Sequence, residues 1–218
     1  MTATNNVWRQ VWNERDADRA DWNGYEQCFA SAADYERFVA EAVTAIVRLL
    51  RIGPDDRVLD IGCGSGRLTQ AVAGHAGEVV GIDFSESALD VARTRRQATN
   101  ARYELVDLNV ADPAALSGYD KVFSFGALLY LQDHETARCL IDGLVGSGAD
   151  VLLLDVPDAD VPDRRAREYD QTTYRHLRFT PAQVRQWSSD AQILRGLFPG
   201  YVNDPHRFAV LIPGHPRQ

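Results

Sequence analysis

Apolar positions between residues 31 and 50 fall at Tyr35, Phe38, Val39, Ala42, Ile46, Leu49 and Leu50. This is a single stripe at helical period. Ser31 stands just ahead of it, and Ser31-Ala32-Ala33-Asp34 predicts a capping box with Asp34 in the usual glutamate position. Gly53 and Pro54 stop the helix. Upstream, residues 5–25 are polar but carry Trp8, Trp12, Trp22 and Tyr25. The four-residue step from Trp8 to Trp12 predicts one face of a short helix.

Beyond Pro54 the period changes. Short apolar runs at 57–61, 78–83, 102–108, 120–126 and 150–156 read as strands. Between them, 68–76, 86–98 (capped by Ser85) and 135–146 read as helices. Apolar strands alternating with helices of this length predict a parallel sheet covered on both faces. After Val156 the chain turns polar through residue 179, with Pro157 and Pro162 early on. Thr180-Pro181 predicts the start of a helix to about Asp190. Residues 191–198 and 206–212 predict two closing strands, a hairpin with one strand antiparallel in the sheet.

Composition narrows the choices. With 218 residues, 45% hydrophobic and 25% charged, the chain suits one globular domain. The expected division is residues 1–50 as N-terminal helices, 51–156 as a ligand-binding core, and 157–218 as an acceptor-side segment with the closing strands. A net charge of −8 has the wrong sign for a binder of phosphate backbones, so no nucleic-acid partner is expected. No apolar leader or membrane-length run is present, so no membrane partner and a cytoplasmic location are expected. Cys28, Cys63 and Cys139 and the five histidines show no ligand spacing, and no metal is expected.

The chemistry concentrates at strand ends. The first strand ends in Asp60 and runs into Gly62-Cys63-Gly64-Ser65-Gly66, followed by a helix. Glycines let a backbone approach a ligand closely, and a helix start offers N–H groups. The spacing is G-x-G-x-G rather than the dinucleotide G-x-G-x-x-G. The second strand ends in Asp83, placed to take both ribose hydroxyls. Phe84 follows and can lie on an adenine face. Asp107 ends the third strand and can accept from an adenine amino group, with the N–H of Leu108 pairing a ring nitrogen. Together these describe an adenosine laid across three strand ends without a diphosphate.

With "VLDIGCGSG", "GIDFS", Asp107 and "YDKVFSFGALLYLQD", the chain resembles the class I S-adenosylmethionine-dependent methyltransferases over residues 57–156. The resemblance implies an α/β, Rossmann-like, seven-stranded, mostly parallel sheet with helices on both faces and an N-terminal helical lid. It implies S-adenosylmethionine as co-substrate. Gly62, Gly64 and Gly66, with Cys63 between them, would approach its methionine part, and Asp83 its ribose. Asp60 would face the amino group, through water. Phe125 and Gly126 would bring backbone near the sulfonium. Tyr130 and, from the lid, Trp12 are the aromatic candidates beside the cofactor.

The segment after Val156 is expected to overhang the acceptor. Tyr169, Tyr174 and His176 are the acceptor-side candidates for catalysis, with His176 or a tyrosine as base. Its arginines, among them Arg164, Arg165, Arg167, Arg175 and Arg178, suit an acidic substrate. No added recognition domain is visible, which suits a small-molecule acceptor and a monomer or homodimer. The alternative is an enzyme that consumes S-adenosylmethionine itself, as a cyclase or lyase releasing methylthioadenosine.

Overall fold

The structure is a computed structural model, and it describes residues 7–25, 28–162 and 174–215. Five parallel strands come first: β1 (Arg57–Ile61), β2 (Glu78–Asp83), β3 (Ala101–Leu105), β4 (Lys121–Phe125) and β5 (Asp150–Pro157). Two more follow, β6 (Gln192–Leu194) and β7 (Arg207–Ile212). They form one sheet in the order β3-β2-β1-β4-β5-β7-β6. β7 lies antiparallel to both β5 and β6. The fold class and strand count are those expected from the sequence.

Helices cover both faces because the central strands β1, β4 and β5 are buried at nearly every position, and successive side chains point to opposite sides. Leu59, Val122, Val151 and Leu153 face one way. There they meet α6 (His134–Gly146) and α7 (Pro181–Trp187) through Ala137, Leu140, Ile141 and Val184. Val58, Phe123, Leu152 and Leu154 face the other way. They meet α3 (Ala32–Leu50) and α4 (Arg67–Ala73) through Ala42, Ile46 and Val72. α3 carries the expected stripe and opens on Ser31, whose hydroxyl accepts from the Asp34 N–H at 3.2 Å and donates to its carboxylate at 2.7 Å. The back-bond thus goes to the Ser31 hydroxyl rather than to its backbone.

The remaining helices group on the β2–β3 side of the sheet. α5 (Glu86–Arg95) follows β2 and is capped by Ser85. α1 (Val7–Asn13) and α2 (Ala17–Asp21) pack on it. Trp8 and Trp12 are both buried on α1, as their spacing predicts.

Several boundaries differ from expectation. β3 stops at Leu105, the residue paired with Asp83 at the end of β2, so Asp107 and Leu108 lie in the following turn. α7 ends at Trp187, because Ser188 is extended at φ −144°. The run 191–198 contributes only three strand residues, since Gly196 at φ +65° and Pro199 turn the chain away. The last two strands are therefore joined by a long connection with a turn at Asp204–His206, not by a tight hairpin.

Candidate functional site

The chain enters the sheet at β1, moves outward to β3, then returns to β4 on the other side of β1. Such a reversal leaves a crevice beyond the carboxyl ends of the strands. The residues singled out from the sequence converge there.

Asp60 is 1% exposed and accepts from the Thr69 hydroxyl at 2.6 Å. Burial, aided by the nearby Asp83 charge and opposed by the Thr69 hydrogen bond, pushes its pKa up to about 7. Asp83 accepts from the N–H of Gly64 at 2.9 Å and of Ser85 at 2.8 Å. Burial raises its pKa as well, against the pull of those backbone donors. Each Asp83 oxygen keeps a second lone pair, so the carboxylate can still accept from a diol.

Gly62, Gly64 and Gly66 all have positive φ. At Gly64 (φ +53°) a side chain would also collide with the Asn23 side-chain oxygen Oδ1. Cys63 turns its buried side chain inward against Gly81, and its N–H donates to Ile82 at 3.0 Å. Its thiol pKa is raised well above normal by burial. Phe84 follows Asp83 and is half-buried.

Asp107 accepts from the backbone and side-chain N–H groups of Asn109 at 3.0 and 2.9 Å, and Arg9 stands 3.9 Å away. Leu108 packs against the core. Phe125 ends β4 and Gly126 follows at φ +68°. A side chain at Gly126 would meet the Tyr25 hydroxyl at 2.6 Å and Asp155 Oδ2 at 3.1 Å.

Trp12, Tyr130, Tyr174 and His176 gather in one ring cluster organised by Trp8. Trp8 stacks on His176 at 4.4 Å and meets Tyr130 edge-on at 5.0 Å, with Tyr174 at 5.8 Å. Tyr130 also meets Trp12 at 5.5 Å and His176 at 5.1 Å. The Trp8 indole N–H donates to the carbonyl of Arg175 at 3.3 Å. The lid and the segment after β5 thus touch over the β4 side of the crevice. Tyr169, Arg164, Arg165 and Arg167 lie outside the described residues. Arg178 donates to the carbonyls of Asp158 and Val161, which ties it to the backbone rather than to an acidic substrate.

Two groups assemble in the fold around residues that the sequence named only singly, Tyr25 as an N-terminal aromatic and Tyr201 or Asn203 as residues near the acceptor. The first is the turn Trp22-Asn23-Gly24-Tyr25. Asn23 (φ +50°) accepts from the Ser65 N–H at 2.8 Å and so caps the glycine-rich turn from the lid side. Asp21 binds Arg67 at 2.9 Å and Arg96 at 2.6 Å, tying α2 to α4 and to the end of α5. An Asn-Gly pair was the available signal.

The second group surrounds Asp155. It is 8% exposed and sits at φ +56°, where the β5–β7 register shifts between Leu153 and Val156. A non-glycine residue in this conformation inside a strand points to a site worth explaining. Its carboxylate accepts from Arg207 Nε at 3.0 Å, from the Tyr201 hydroxyl at 3.3 Å and from the Tyr25 hydroxyl at 3.4 Å. Asn203 Nδ2 in turn donates to the Tyr201 oxygen at 2.5 Å. The signal was a lone acid inside the apolar run "VLLLDV".

A family model described as "Methyltransferase domain" matches residues 58–142. The chain is 34% identical to juvenile hormone acid O-methyltransferase of Bombyx mori over 104 residues, 45% of this chain and 37% of that protein. It is 44% identical over 55 residues to ubiquinone biosynthesis O-methyltransferase of Coxiella burnetii, 24% of each. The chain thus aligns with less than half the length of these curated relatives. Among solved structures, magnesium protoporphyrin IX methyltransferase from Synechocystis PCC 6803, with bound SAM, has a TM-score of 0.64 at 18% identity. That match covers 98% of this chain and 100% of the other, and it shows a shared fold.

Proposed function

With residues 58–142 a methyltransferase domain, we propose that the chain transfers a methyl group from S-adenosylmethionine to a small-molecule acceptor, releasing S-adenosylhomocysteine. One observation carries the reading. Asp60, the glycine-rich turn, Asp83 and Gly126 stand at the ends of adjoining strands β2, β1 and β4, with Asp107 just past β3. That row offers each part of the cofactor a partner: adenine toward Asp107 and Leu108, ribose at Asp83, methionine at Gly62–Gly66 and Asp60, sulfonium toward Phe125 and Gly126.

The carboxylates suit the charges involved. Asp60 lies in a buried setting where an ammonium partner would stabilise its ionised form. The sulfonium loses its charge as the methyl leaves, so the protein's main task is orientation. The rings of Trp12, Tyr130, Tyr174 and His176 exclude water over the β4 side. His176 and Tyr174, two of the three acceptor-side candidates from the sequence, serve as wall residues in this reading. Their ring partners account for their positions.

The test is direct. The purified protein is incubated with S-adenosylmethionine alone and with acceptor, and products are identified by mass. Inert S-adenosylmethionine until an acceptor is added, then S-adenosylhomocysteine, is expected. Methylthioadenosine formed without acceptor would replace this reading with a cyclase or lyase. A second measurement concerns the ribose. Asp83→Asn should weaken S-adenosylmethionine binding at least tenfold by calorimetry, about 1.4 kcal/mol, the scale of a lost charge-assisted hydrogen bond. Unchanged affinity would remove Asp83 from the site.

A further inference from the structure

We infer that Tyr25 is the acceptor-side catalytic residue, receiving the proton of an un-ionised phenolic hydroxyl, with Asp155 as the positioning residue behind it. The inference rests on the methyltransferase reading and deepens it at the acceptor end.

The strand order sets the place. If the cofactor runs from β3 through β2 to β1, its methyl end points across β4 toward β5. The groups waiting there are Gly126 and Asp155. Gly126 has no side chain, and the Tyr25 hydroxyl lies 2.6 Å from where its Cβ would be. A larger residue at Gly126 would displace Tyr25. The ring of Tyr25 is fixed by Tyr201 at 6.0 Å, Tyr35 and Phe125 at 6.1 Å and Phe38 at 6.3 Å. Its backbone position is set two residues earlier, where Asn23 is bound to Ser65. One four-residue turn therefore reaches the methionine end of the site with Asn23 and the acceptor end with Tyr25.

Asp155 is built to take a proton. The carboxylate is fixed by Arg207 and the two phenols, and the left-handed backbone at the β5 irregularity presents it to Tyr25. Burial raises the pKa of both Asp155 and Tyr25, although Arg207 pulls Asp155 the other way. The charged and titratable groups facing this pair are Arg207 from β7, Tyr201 and Cys28 from the flanking loops, Tyr35 from α3 and Tyr130 after β4.

The step balances as follows. The acceptor oxygen forms a bond to the methyl carbon while the carbon–sulfur bond breaks and sulfur keeps the electron pair. The acceptor proton passes to the Tyr25 oxygen, and the Tyr25 proton passes to Asp155. An ionised carboxylic acid has no proton to lose and would be repelled by Asp155, so the pair suits a hydroxyl that is neutral at pH 7. The rings of Trp8, Trp12, Tyr130 and Phe125 favour an aromatic one.

The experiment uses S-adenosylmethionine with catechol, octanoate or benzylamine as separate probes, reading S-adenosylhomocysteine. Wild type is expected to methylate catechol. Tyr25→Phe and Asp155→Asn should each lower kcat at least a hundredfold, with S-adenosylmethionine affinity by calorimetry within threefold. Asp155→Asn should also erase the rise of kcat/KM for catechol with pH. Both substitutions keep the shape of the side chain, and melting curves check the fold. The inference is overturned if catechol is untouched while S-adenosylmethionine binds, if only octanoate or benzylamine is methylated, or if either variant keeps the wild-type rate and pH profile. Absence of S-adenosylmethionine binding would instead overturn the methyltransferase reading beneath it.

Discussion

Asp60 carries a carboxyl that burial keeps protonated up to about pH 7. Its folded pKa lies above its unfolded one, so its contribution to stability is full at acid pH and is lost as pH rises through about 7. Asp60→Asn, which can still accept from Thr69, should leave stability unchanged near pH 4 and raise it near pH 8, by at most about 4 kcal/mol. Urea titrations at both pH values check this. A bound ammonium would reverse the preference. Binding of S-adenosylmethionine near pH 6 should therefore release close to one proton, and the number released should fall as pH rises through about 7. Calorimetry in two buffers of different ionisation enthalpy reads that number. Asp60 and Asp83 were legible in the sequence because a strand end, a glycine-rich turn and a helix start are all local. Asp155 was not, and Tyr25 stood out only as an N-terminal aromatic, because their bond spans 130 positions and nothing near either residue announces the other.

At the scale of elements, the alternation of strand and helix predicted the sheet, and what it missed were ends. A strand stops where its neighbour stops, as β3 does opposite Asp83, and a single run of residues carries no record of its neighbour's length. The docking of α2 was equally hidden. Asp21, Arg67 and Arg96 are ordinary charges in sequence. In the fold they are only 13–16% exposed and bind one another across α2, α4 and the end of α5. Asp21→Ala leaves two half-buried arginines short of a partner. It should cost about 1–3 kcal/mol in urea unfolding. Amide exchange should rise across residues 7–25 while β1, β2 and β4 keep their protection. Equal acceleration throughout would mean that the N-terminal helices and the sheet open as one unit.

At the scale of the whole molecule, a cofactor laid across several strand ends and covered by the lid should stabilise all of them together. S-adenosylhomocysteine at a hundred times its Kd should add about 2.7 kcal/mol. For a chain of this size that raises Tm by roughly 5–10 °C, measurable by a thermal scan; no shift would exclude a specific complex. The wide spacing of the contacts that close the site has a further effect, on synthesis. Trp8 bonds Arg175 across 167 positions, and Cys28 meets Asn203 across 175. A ribosome delivers the second member of each pair on the order of ten to forty seconds after the first. In that interval α1 can lean on α5 through the bond from Ser87 to the Trp12 carbonyl. Trp8 still lacks His176, and Tyr25 still lacks Tyr201. The sheet strands β1 to β5 can thus pair before the crevice has its cover, and the nascent chain passes through a stage with a formed core and an unfinished site.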